Sequence, residues 1–116
     1  MIEATIFENP TGNVMTNKYQ SLFSVEFKNV LITLNPSNFE AFCDFICYTD
    51  PHDLSGLVVT NSGKIILRPN NDRFCYVLLP SEFLELRELL DGARSILRMH
   101  ADVCRILNST EQHSKN

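Results

Sequence analysis

The chain has 116 residues; against roughly 150 per domain, that makes one domain and leaves no room for a second. Leu, Ile, Val and Phe supply 37 of them, well above the roughly 20% below which chains stay disordered, so a core forms without staples. A formal charge of −4 argues against nucleic acid or an anionic membrane as the main partner.

Met1 to Pro10 carries neither a basic region nor a long apolar run, so it does not read as a signal peptide. The longest apolar run, Phe74 to Leu79, is far short of the roughly 20 residues a membrane helix needs. Cys43, Cys47, Cys75 and Cys104 therefore read as reduced thiols, and the expected compartment is the cytoplasm.

Ala4 to Phe7 and Val14 to Thr16 are short strand candidates around the turn chemistry of Asn9 to Asn13. Phe23, Val25 and Phe27 alternate with Ser24, Glu26 and Lys28, the period of a strand with one buried face. Lys28-Asn29 forms a tight turn, since Asn tolerates positive φ, and Val30 to Leu34 returns as a second strand. Asn35 is a good N-cap and Pro36 suits the first helical position. Phe39, Phe42 and Ile46 then mark a helix running to Tyr48, and Pro51 forbids its continuation. Leu57 to Thr60, Lys64 to Arg68 and Arg73 to Leu79 read as strands separated by Asn61-Ser62-Gly63 and by Pro69 to Asp72. Pro80 opens a helix with Phe83, Leu86 and Leu90 on one face, extended past Gly92 by Ala93 to Leu107. Residues 108–116 are polar and form a frayed tail to a single domain over 1–107.

Shifted by 44 positions, Leu34-Asn35-Pro36-Ser37-Asn38-Phe39 lies over Leu78-Leu79-Pro80-Ser81-Glu82-Phe83. Phe42, Phe45 and Ile46 lie over Leu86, Leu89 and Leu90. The expected fold is α+β: two pseudo-repeated β-β-α units in one antiparallel sheet, with helices on one face and the C-terminal helix extended. The stretches Phe27 to Phe42 and Leu79 to Leu90 resemble a family of small uncharacterised bacterial proteins with a repeated hairpin-helix unit. That resemblance covers about residues 20–92, implies no activity and lends no functional residues.

No Gly-rich phosphate loop, nucleophile elbow, Cys-x-x-Cys or His-Glu-x-x-His occurs, so nucleotide enzymes, serine hydrolases and standard zinc modules are disfavoured. One metal constellation exists on paper: Cys43 with Cys47 and His100 with Cys104, each pair four apart on a helix. Against it, free Cys usually fills cores as a small hydrophobe, and the spacing is not that of structural zinc. Arg87, Arg94, Arg98 and Arg105 share a helix face that could draw an anion, but Asp91 and Asp102 interleave as in a solvated, ion-paired surface.

The first helix raises a question of cover. At about 100° per residue, Phe39, Ala41, Phe42, Phe45 and Ile46 fill one broad face, assigned here to the sheet. Cys43 and Cys47 add an apolar strip beside it, where the second helix carries Arg87 and Asp91. That strip needs a cover, either the extension Ala93 to Leu107 or a second chain. The expected function is therefore non-catalytic, an interaction module for an unidentified protein partner or a homodimer, with no cofactor. Its interface candidates are Cys43, Cys47, Tyr48, Leu97, His100 and Cys104. The alternative is a metal- or small-ligand-binding protein using Cys43, Cys47, His100 and Cys104.

Overall fold

The computed structural model describes residues 3–17, 20–69 and 75–114, with the side chains of the last helix described as far as Ala101. Four strands, β1 (Glu3–Asn9), β2 (Gly12–Asn17), β3 (Leu22–Phe27) and β4 (Val30–Leu34), form an antiparallel meander in that order. Lys28 and Asn29 take φ of 48° and 71°, the pair of positive values that a two-residue primed turn demands. At the neighbouring turn the Asn9 side chain accepts from Thr11 and Gly12 amides at 3.0 and 3.2 Å. Lys28 N–H donates to the Thr11 carbonyl at 3.2 Å, tying the two turns together. Gly12 is required there, because a Cβ would stand 1.9 Å from the Glu26 carbonyl oxygen.

Phe7, Val14, Val25 and Ile32 are successive cross-strand partners, so their side chains share one face. Two helices cover that face. Helix α1 (Pro36–Tyr48) lies over β3 and β4, and helix α2 (Pro80–Ser114) lies over β1 and β2. The Asn35 side chain caps α1 by accepting from Asn38 N–H at 2.7 Å, as the sequence signals. Phe39 stacks on Phe23 with ring centroids 4.4 Å apart, locking α1 to the sheet.

The single sheet expected from the sequence is instead two. Strands β5 (Ile65–Leu67) and β6 (Tyr76–Leu78) pair with each other and, among the described residues, with no strand of the larger sheet. This small sheet meets the larger one through side chains, Phe27 edge-on to Tyr76 at 6.1 Å, and not through backbone hydrogen bonds. The strand expected over Leu57 to Thr60 reduces to one bridge, Val59 to Ile65, after a single 3₁₀ turn at Leu54–Gly56. The expected turn over Pro69 to Asp72 and the start of the strand from Arg73 fall largely outside the described residues.

Helix α2 runs unbroken through Gly92 for 35 residues. Gly in a helix interior costs about 1 kcal/mol relative to Ala, and packing explains its presence. A Cβ on Gly92 would fall 2.5 Å from the Phe7 ring, so the glycine is what lets α2 settle on β1. The stretch 108–114, set apart in sequence as a tail, lies within the helix bounds, and its side chains are outside the described set.

Candidate functional site

The two helices meet along a polar seam built over the Cys43–Cys47 strip. Helix α1 has no basic residue in its last turn, so its terminal carbonyls need donors from elsewhere. Arg87 of α2 supplies them: Nε donates to the Ile46 carbonyl at 3.0 Å and Nη2 donates to the Thr49 carbonyl. A guanidinium at this position also meets the negative end of the helix dipole. Two turns on, Arg94 pairs with Asp44 and, at 3.9 Å, with Glu40. Burial works against the charge of Arg94, and Asp44 and Glu40 hold it. The order of these contacts shows that α2 runs antiparallel to α1 and leaves the body past its N-terminus.

Beneath the seam Cys43 is fully buried, and burial pushes its thiol up to about 12. The half-buried Cys47 thiol is also raised, chiefly by burial, with Asp91 adding and Arg94 opposing. Both thiols stay protonated near neutral pH and are poor nucleophiles. The cover sits earlier in the chain than the sequence suggests. It starts at Arg87, before the extension from Ala93, because the antiparallel helices cross in that stretch. Leu97 is half-buried against the core, whereas His100 is exposed and the Cys104 side chain lies outside the described residues.

Among the described residues, no group of three or more His, Cys, Asp or Glu side chains could hold a metal ion. Of the four proposed metal ligands, Cys43, Cys47 and His100 belong to no such cluster, and the Cys104 side chain lies outside the described residues. Nor do Arg87, Arg94 and Arg98, the described members of the arginine row, gather into an anion site. Arg87 and Arg94 are committed to α1, Arg98 points outward and the Arg105 side chain is outside the described residues.

The buried face of α1 is narrower than the sequence suggests: Phe39, Phe42 and Ile46 are buried as expected. Ala41 and Phe45, which the sequence assigns to the sheet, are exposed, Phe45 by 46%, and Tyr48 beside them is exposed by 79%. The corresponding α2 residue, Leu89, is fully buried. Small Cys43 is buried on the side of α1 that faces α2, and Arg87, 44 positions on, reaches across to the end of α1. Two hollows flank Phe45. One, of about 240 Å³, is lined by Asp50, Asp53 and Leu57; the other, of about 220 Å³, by Ile66, Arg68 and Pro69. A wider hollow of about 440 Å³ near the hairpin turns is polar. Its Lys28 pairs with Glu85 at 3.2 Å and its Asn13 with Glu26 at 2.7 Å.

The family model of the DUF6686 family, a family of unknown function, matches residues 1–110. The chain belongs to that family. The DUF6686 match takes in both hairpins, the helix seam and most of α2, so these features lie within the family's own span. No curated protein and no solved structure matches the chain.

Beyond the seam α2 leaves the body. Arg98, Met99, His100 and Ala101 are all exposed, a full helical turn without cover, and the molecule measures 65 × 32 × 26 Å. Ile96 and Met99 are exposed by 37% and 56%. Among the described residues no helix is long and apolar enough to cross a membrane. Sequence reasoning followed the stripe through Leu97 and His100 and missed Phe45, Ile96 and Met99. The signal for the last two was a parallel stripe, Ile96, Met99 and Val103, with the same three-and-four spacing.

Proposed function

We propose that this protein is a non-catalytic cytoplasmic interaction module that offers the projecting end of α2 to a protein partner. The observation that carries this reading is the turn from Arg98 to Ala101, exposed on every side, with apolar Met99 on it and Ile96 just before. From Arg98 to Ser114 the helix continues for 17 residues, and isolated helices of about this length are only marginal in water. A partner that buries the Ile96–Met99 stripe supplies the missing tertiary contacts. The protonated thiols of the seam and the paired charges of the polar hollow fit a binding role better than catalysis. The same reading treats the two hairpin–helix units as repeats of one plan. Its support is Phe39 and Phe83, each buried at the fourth residue of its helix.

The test is retention from native lysate on immobilised wild-type chain against Ile96→Asp/Met99→Asp. Met99 is 56% exposed and Ile96 37%, and circular dichroism checks that the variant folds as the parent does. Proteins or further copies of the chain held by the parent should be lost from the variant. Equal retention on both sinks the reading.

A further inference from the structure

We infer that the partner of the projecting helix is a second copy of this chain, each α2 lying along the Ala41–Phe45–Tyr48 strip of the other copy's α1. The inference rests on the interaction reading above and gives it a partner and a surface. The strip offers apolar ribs with a hollow on each side of Phe45, the relief into which the ridge of a second helix packs. The chain's own α2 does not reach it. It occupies the opposite flank of α1 and continues as unbroken helix away from the body, so covering the strip from within would require breaking that helix.

Charge selects the occupant. Residues 1–60 carry two basic and seven acidic side chains, whereas all six arginines lie in residues 61–116. At the rim of one hollow stand Asp50, which His52 approaches at 3.6 Å, and Asp53, both exposed and, among the described residues, not ion-paired with a Lys or Arg, while Arg68 lines the other hollow. The projecting helix presents Ile96 and Met99 to fill the hollows and an exposed Arg98 beside them to meet those carboxylates. Length agrees as well. The 17 residues from Arg98 to Ser114 span roughly 25 Å and the 13 of α1 roughly 20 Å, so one covers the other. Exchange about a two-fold axis makes both contacts at once. Two such contacts bring a pair of single-helix dockings toward the roughly 1,200–2,000 Å² of stable interfaces.

Sedimentation equilibrium of the full chain decides it, with Tyr48→Asp as the strip variant and Met99→Asp as the helix variant. Both positions are mostly exposed, so folding is retained. The parent should sediment at twice 13.3 kDa, and each variant alone should dissociate at least about tenfold more readily. An equimolar mixture of the two variants keeps one intact contact and should recover part of the association. In Arg98→Asp the loss should be reversed by adding Asp53→Arg. A parent that stays monomeric at about 100 μM overturns the second copy as partner, while loss of lysate retention in the earlier test would still uphold the interaction reading. Association that survives Tyr48→Asp overturns the strip. Association lost in Met99→Asp and not recovered by mixing also overturns it, because the projecting helices then pair with each other.

Discussion

The two hairpin–helix units begin alike and end differently. In each, Pro stands at the first helical position and the first turn closes with one bond of 2.9 Å, Phe39 N–H to the Asn35 carbonyl or Phe83 N–H to the Leu79 carbonyl. After that first turn they diverge. The first helix stops after 13 residues and relies on Arg87 to hold its last carbonyls, whereas the second supplies that hand and runs on for 35. One matching pair decides the roles. Small Cys43 makes α1 the receiving helix, and long Arg87 makes α2 the holding one.

Copying one unit's residue into the other should break this arrangement most severely at that pair. Cys43→Arg places a guanidinium in a fully buried site already holding the Arg94 charge. An added buried charge without a partner costs several kcal/mol, roughly 4 or more. Thermal unfolding followed by circular dichroism should show a variant that is unfolded or melts far below the parent. A melt matching the parent's would mean that the seam is open to water and that the two positions are interchangeable.

Local features of this arrangement were legible before any coordinates. Lys28-Asn29, Asn35-Pro36 and Pro80 carry their own backbone preferences, so both helix starts and the first hairpin can be read from adjacent residues. The need to cover Cys43 and Cys47 was legible too, as an apolar strip beside an already apolar face. What stayed hidden depends on residues far apart in the chain. The small sheet meets the large one where Phe27 touches Tyr76, and α2 meets α1 where Arg94 reaches Asp44, both pairs far apart in the chain. The expected repeat misled about Phe45, which is exposed by 46% where Leu89, 44 positions on, is fully buried. Whether the second helix passes Gly92 unbroken is not legible in adjacent residues, and only the approach to Phe7 shows why a glycine stands there.

Where the units agree, equal damage is expected. Phe39→Ala and Phe83→Ala each remove a ring that is at most 1% exposed, and truncations of this kind cost about 3–5 kcal/mol. Urea denaturation should place both losses inside that range, so within about 2 kcal/mol of each other. A loss confined to one of them would show that the two helix starts hold the core unequally.

The reverse copy at the seam, Arg87→Cys, should do less harm than Cys43→Arg. It adds no charge, but it removes both donors from the Ile46 and Thr49 carbonyls. Charged hydrogen bonds of this sort are worth about 1.5–3 kcal/mol, and a loss near 2 kcal/mol is expected by urea denaturation. Amide exchange in the last turn of α1 should quicken more than exchange at its start. Uniform quickening would mean that Arg87 serves general packing and not the end of α1.

The smallest effect should come from exchanging the helix caps, and it carries the opposite sign. Asn35 caps α1 through its side chain, accepting from Asn38 N–H at 2.7 Å. Leu79 in the matching place has no acceptor, so α2 keeps only half of a capping box, with Leu79 N–H donating to Glu82 Oε1 at 2.8 Å. Leu79→Asn adds the missing acceptor for the Glu82 amide while the Glu82 carboxylate still takes the N–H of residue 79, completing the reciprocal pair. Leu79 is 45% exposed, so little buried apolar surface is given up. The expected gain is about 0.5–1 kcal/mol, read as a melting temperature several degrees higher. Asn35→Leu should lose a similar amount, and because the two caps share no partner the double variant should melt close to the parent. If Leu79→Asn gains nothing while Asn35→Leu costs its full share, the second helix does not depend on its first turn. Its start is then held by Phe83 and the sheet alone, and the likeness of the two units stops at their buried rings.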